Sequence, residues 1–97
     1  MSPAEAVAAF RRLGAEVIPG RGKGNHTWME RLDDQGRRVA IFNVPMNRNP
    51  VPTGLFLKDL LRRNGIHDVA HLKLLLNAPD PPAAFLEAVM AHRAAGR

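Results

Sequence analysis

The chain has 97 residues, 45% of them apolar and 24% charged, enough for one folded domain with a modest core and too few for separate cofactor and substrate domains. It contains no cysteine, which excludes a disulfide scaffold, a thiolate zinc site and a cysteine nucleophile. Fourteen Lys and Arg against nine Asp and Glu give +5, the balance of a domain that meets polyanions or acidic proteins, or that needs charge only for solubility.

Ser2-Pro3-Ala4-Glu5 supplies a cap, a first-turn proline and a Glu three residues after the cap. Ala6, Val7, Phe10 and Leu13 follow at helical spacing, Arg11 and Arg12 lie off that stripe, and Gly14 ends the helix. Ala15 to Ile18 reads as a short strand closed by Pro19-Gly20. A glycine-rich basic loop, Arg21-Gly22-Lys23-Gly24-Asn25, leads into a strand from His26 to Leu32. Asp33-Asp34-Gln35-Gly36 is a hairpin turn, and Arg37 to Val44 is the returning strand, which Pro45 ends. In that return Ala40, Phe42 and Val44 share one face while Val39 and Ile41 share the other. One face is therefore expected under helices and the other as a shallow platform.

Met46 to Pro52 is an extended connector, and Thr53 caps a helix whose Phe56, Leu57, Leu60 and Leu61 point inward. Lys58, Arg62 and Arg63 form its cationic outer face, and Gly65-Ile66 is its left-handed stop with an apolar clamp onto Leu61. Asp68 caps a third helix through about Asn77 with Val69, Leu72, Leu75 and Leu76 inward. Asp80 starts a fourth whose stripe is Phe85, Leu86, Val89 and Met90. The order is α-β-β-β-α followed by two more helices, with no internal repeat and no low-complexity run. No apolar run approaches the length of a membrane span and the first residues lack a signal-peptide pattern, so a cytoplasmic protein is expected.

His26 is the residue with chemistry to offer. An imidazole at that strand start would stand beside loop N–H groups and the cations Arg21 and Lys23. Such a grouping suits phosphodiester chemistry on RNA: a base for the ribose 2′-OH, and positive donors for a phosphate that gains charge. The ribose supplies its own nucleophile, so neither metal nor cofactor is needed. The plainer reading is that His26 only caps the strand.

These residues resemble a known family. Gly24-Asn25-His26-Thr27-Trp28-Met29 resembles the G-S-H-x-x-aromatic signature of HicA-type (YcfA-like) toxins, the mRNA interferases of type II toxin-antitoxin pairs. Val44-Pro45-Met46-Asn47 is similar to their V-P-x-H stretch. Thr53-Gly54-Leu55 through Leu60-Leu61-Arg62-Arg63-Asn64-Gly65-Ile66 is similar to their second helix. The likeness covers roughly residues 3–66, which sets a 1–66 core apart from a 67–97 helical extension packed on that core or on a partner chain. It implies an α+β fold like a double-stranded-RNA-binding domain, with a three-stranded antiparallel sheet. It also implies endoribonuclease cleavage of mRNA that depends on His26, and neutralisation by a HicB-like antitoxin. Gly24 would shape the histidine loop. Asn25 stands for the usual Ser, Met29 for the usual aromatic, and Asn47 where a second His often occurs, so His26 works alone or with Lys23 or Arg21. The alternatives are an RNA-binding module that does not cut, or a protein-interaction domain using the C-terminal helices.

Weaker signals surround this one. His67 and His71 lie four apart on a helix, but a zinc site wants three or four ligands and none follows. His92, in the last turn of the final helix, is assigned no role. Gly20, Gly22 and Gly24 imitate a phosphate loop without its Lys-Ser/Thr pair. Trp28, on the strand face of His26, either stacks on an unpaired base or packs under a helix. Arg21, Lys23 and Asn25 in the loop, with Lys58, Arg62 and Arg63 on the second helix, are the expected phosphate contacts. An acidic antitoxin would use the same surface.

Overall fold

A computed structural model of the chain describes residues 1–20, 24–48, 50–51 and 55–96, with backbone alone at 55 and 56. They form α1 (Pro3–Arg12), β1 (Glu16–Val17), β2 (His26–Leu32), β3 (Arg38–Pro45), α2 (Leu55–Arg63), α3 (Val69–Leu76) and α4 (Pro81–Ala95). The loop residues Arg21, Gly22 and Lys23, the expected cap Thr53 with Gly54, and the Phe56 side chain lie outside the described residues.

Local chemistry sets the ends of these elements. The Ser2 hydroxyl accepts the Glu5 N–H at 3.1 Å and the Glu5 carboxylate accepts the Ser2 N–H at 2.9 Å, a complete capping box. In the β2–β3 turn the Asp33 carboxylate accepts the N–H groups of Gln35 and Arg37, each at 2.9 Å. Both acids are held below their usual pKa, Glu5 chiefly by the Ser2 N–H and Asp33 chiefly by the Arg37 N–H. A depressed carboxylate stabilises the fold fully above its unfolded value, 4.5 for Glu5 and 3.8 for Asp33, and loses that contribution as pH falls through the folded value. The thermal midpoint is therefore expected to fall as pH drops below about 4.5, and to fall less steeply in a Glu5→Gln, Asp33→Asn double variant. Parallel curves for the two proteins would show that these hydrogen bonds do not couple to folding.

The sheet is antiparallel in the order β1-β2-β3, with His26 opposite Pro45, Trp28 opposite Asn43, Glu30 opposite Ile41 and Met29 opposite Phe42. β1 is shorter than the expected Ala15–Ile18, because Ala15 turns inward and donates its N–H to Phe10, although Ile18 still donates to Trp28 at 2.9 Å. β3 extends to Pro45. The backbone groups of Ile41 point away from β2, and Pro45, four residues on, shares that phase, so its missing N–H falls on the free edge. The register shifts where Arg31 pairs with Ala40 and Leu32 with Arg38, making Val39 the extra residue of a bulge. That corrects the expectation that Val39 shares the outer face with Ile41: Val39 is buried and Ile41 only half-buried.

Helices cover the Met29–Phe42 face. Phe10 of α1 stacks on Phe42 at 4.0 Å between centroids, and Phe85 of α4 lies tilted against Phe42 at 5.9 Å. Leu13, Val44, Leu57, Leu60, Leu61 and Ile66 belong to the same cluster. The helices after residue 66 contribute Leu72, Leu75, Phe85 and Val89 to this same core. Two expected inward residues are instead largely exposed, Val69 at 37% and Met90 at 46%. Val69 sits in the first turn of the eight-residue α3, which buries Leu72 and Leu75, and Met90 lines the groove where α4 passes Val39. Gly65, at φ +82°, ends α2 as expected, and Ile66 donates back to Leu61 at 2.9 Å. A Cβ there would lie 3.0 Å from the Cα of Val89, so Gly65 also lets α4 approach.

The long-range polar contacts of Asn64, Arg31 and Arg12 were not legible in the sequence. Asn64 is buried, and its amide acts like a short strand on the free edge of β3, accepting from Ile41 N–H at 3.0 Å and donating to Ile41 C=O at 2.9 Å. Its Nδ2 also donates to Leu60 at 2.9 Å. Arg31 donates to the carbonyls of Leu13 and Pro82, each at 3.0 Å, and to that of Leu32, joining α1, β2 and α4. Arg12 donates to the Leu76 carbonyl at 2.8 Å and so ties α1 to α3. Asn64→Ala strips the edge of both partners and is expected to cost about 2–3 kcal/mol in urea unfolding. A cost under about 0.5 kcal/mol would mean that water replaces the amide without loss. Among the described residues no helix is long and apolar enough to cross a membrane.

Candidate functional site

Two turns meet at the open end of the β2–β3 hairpin. Gly24, at φ +86°, swings the chain into β2, a backbone conformation that side-chain-bearing residues rarely adopt. The next residue, Asn25, accepts the Met46 N–H on its carbonyl, closing the hairpin end, and His26 then opens β2 opposite Pro45. His26 and Asn25 are exposed, as are Asn47 and Arg48 in the turn leaving β3. The Met46–Asn25 bond thus brings Asn47 to the same end of the sheet as His26. Arg48 is a cation that the sequence reading passed over; its signal was its place just after Val44-Pro45-Met46-Asn47. The cations first expected beside the histidine, Arg21 and Lys23, lie outside the described residues.

Trp28 lies two residues along β2 from His26, half-buried on the strand face of Glu30 and opposite Asn43. Met29, on the other face, is fully buried beside Phe42, filling the volume that an aromatic occupies in the resembled signature. The outer face is therefore a platform of Trp28, Glu30, Ile41 and Asn43, all half-buried, with His26 exposed at one end.

The second basic group stands apart from His26. Lys58, Arg62 and Arg63 are exposed on α2. Arg63 is paired with Asp59 at 3.1 Å, and Arg62 reaches the His67 carbonyl at 3.4 Å. Because Asn64 is anchored at Ile41, the end of α2 that carries Arg62 and Arg63 lies about 13 Å along β3 from Pro45. The structure thus puts His26, Asn25 and the turn carrying Asn47 and Arg48 at one end of the sheet, and Arg62 and Arg63 beside the middle of β3.

The other histidines have local work. His67 donates its N–H to Nδ1 of His71 at 3.0 Å with the rings stacked at 4.8 Å, and His71 donates its N–H to the capping Asp68 carboxylate at 2.8 Å. Among the described residues no group of three or more His, Asp or Glu is placed to hold a metal ion. His92 is exposed on the last turns of α4. The arrangement at the hairpin end offers a solvent-facing imidazole, amide side chains and a guanidinium to a substrate that approaches from outside. Compared with family models, with curated proteins and with solved structures, the chain matches none.

Proposed function

We propose that the protein is the toxin of a toxin-antitoxin pair, a HicA-like endoribonuclease that cuts mRNA without a metal and is held in check by an antitoxin protein. The observation that supports this most is the exposure of His26 at the first position of β2, behind the left-handed Gly24, within an α-β-β-β-α order. In this reading the His26 imidazole takes the proton of a ribose 2′-OH. The 2′-oxygen attacks the adjacent phosphorus, the P–O5′ bond breaks, and the 5′-oxygen takes a proton from water, because Asn47 offers no second imidazole. The products are a 2′,3′-cyclic phosphate and a 5′-hydroxyl. Arg48, Asn25 and the loop cations Arg21 and Lys23 hold the phosphate as its charge grows.

Inducible expression tests it: the wild type is expected to arrest growth and shorten cellular mRNA, and His26→Ala is expected to do neither. Identical arrest by both proteins would remove His26 from the chemistry. A second reading, RNA binding without cleavage, rests on Asn47 at the second-histidine position. Salt-sensitive RNA binding with no cleavage under any condition, added metal included, would favour it.

A further inference from the structure

At the end of the sheet away from His26, two adjoining concavities of about 390 and 250 Å³ share Arg38, Val39 and Arg93. Arg37 lines the first and Arg63 the second, so four arginines from β3 and its turn, α2 and α4 border one groove, with Val39 lining both parts and Ile41 the second. We propose that this groove holds phosphates of an RNA strand whose cleaved nucleotide lies at His26, an extension that rests on the RNA reading above.

Charge and backbone bonding both favour that occupant. Arg37 is paired with Asp33 at 3.5 Å, Arg38 with Glu30 at 2.9 Å and Arg63 with Asp59 at 3.1 Å. Each pair includes at least one well-exposed side chain, and such surface pairs contribute little, so a phosphate displaces the carboxylate readily. Arg93 donates only a long bond to the Val39 carbonyl, 3.4 Å, and among the described residues it has no carboxylate partner. A peptide strand is disfavoured here. The Ile41 N–H and C=O are taken by Asn64, so beside the groove β3 lacks the free pair of backbone groups that strand addition needs there.

Continuity with the candidate site completes the argument. Arg38 pairs with Leu32 at one end of β2 and His26 opens the other, six residues or about 20 Å away. The platform of Trp28, Glu30, Ile41 and Asn43 lies between them, with the Glu30 carboxylate held by Arg38. Single strands are commonly tracked over about 4–16 nucleotides by a cationic groove combined with stacking surfaces. A strand cut at His26 therefore needs several further nucleotides to reach Arg38, Arg63 and Arg93.

The test measures the affinity of uncleavable 2′-O-methyl RNA of about 4 and about 12 nucleotides for the full chain. The longer oligonucleotide is expected to bind at least about tenfold more tightly. Arg63→Glu and Arg93→Glu are each expected to remove about tenfold of that and to lower the salt slope by about 0.7 per phosphate lost. The short oligonucleotide should bind these variants as it binds the wild type. Arg11→Glu, an equal charge change at an exposed position of α1, should leave both affinities unaltered. Thermal midpoints accompany each variant, and because among the described residues Arg63 pairs only with exposed Asp59, its variant reports the groove even where Arg93→Glu unfolds the chain. Equal affinity for the two lengths, or equal losses from Arg11→Glu, overturns the groove. So does a glutamate-rich peptide that binds the wild type and not Arg93→Glu while RNA affinity is unchanged. Length-dependent binding through Arg63 and Arg93 with no cleavage supports the groove and removes the chemistry of His26. Cleavage of a short RNA without length-dependent binding does the reverse.

Discussion

His26→Ala is expected to lower the rate of RNA cleavage by about 10²–10⁴-fold, the usual contribution of a positioned general base, with RNA affinity almost unchanged. The separation of rate from binding follows from geometry. His26 is exposed at a strand end, and its side chain is no part of the core cluster, so alanine leaves packing intact. The thermal midpoint should accordingly stay within about 2 °C of the wild type, well under the shift that 1 kcal/mol produces in a domain of this size. The phosphate contacts assigned to Arg48 and the loop cations remain, so binding persists. A variant that loses affinity and rate together would identify His26 as a binding residue. One that loses neither would leave it a capping residue at the strand start.

Phe42→Ala is expected to destabilise the protein by about 3–5 kcal/mol, the usual cost of emptying an aromatic core position. Phe42 is fully buried, with Phe10 stacked on its ring and Phe85 tilted against it. It is the point at which α1, the sheet and α4 meet, and its removal loosens all three. The midpoint should fall by roughly 12 °C or more, at about 4–8 °C per kcal/mol. Since domains of this size hold only about 5–15 kcal/mol in total, the variant is expected to be partly unfolded at 37 °C. Phe42→Leu, which keeps much of the volume, should recover more than half of the loss. A cost below about 1 kcal/mol for Phe42→Ala would mean that α1 and α4 do not depend on this contact.

Local rules carried most of the fold into view. The Ser2 capping box, the bounds of β2, the hairpin turn at Asp33, the Gly65-Ile66 stop and the Asp68 and Asp80 caps all depend on neighbours a few residues away. Such patterns can be read directly. Asn64 lay inside a recognised helix end without its role being visible, because its partner, Ile41, is 23 residues distant. Arg31 was hidden for the same reason: its carbonyl partners Leu13 and Pro82 are 18 and 51 residues away, and no periodicity encodes them. The misplaced residues, Val39, Val69 and Met90, sit at a bulge or at the margin of a packed face, where period alone does not fix burial.

The candidate site was legible to a different degree. Gly24-Asn25-His26 marked a strand start with chemistry to offer, and His26 is indeed exposed at the first position of β2. What the linear pattern did not give is the Met46–Asn25 bond that brings the turn carrying Asn47 and Arg48 to the same end of the sheet. Nor did it reveal that Arg63 and Arg93 border one groove with Arg38, since these residues come from three elements that only the fold assembles.

The central claim is that His26 activates a ribose 2′-OH, and a single deoxyribose tests it most directly. An RNA cut by the purified protein in the presence of a chelator should yield a 2′,3′-cyclic phosphate and a 5′-hydroxyl. The same RNA with a 2′-deoxy sugar at the cleaved nucleotide should remain whole at that bond while binding as before. Cleavage of the deoxy-substituted bond, or products that end in a 5′-phosphate, would contradict it.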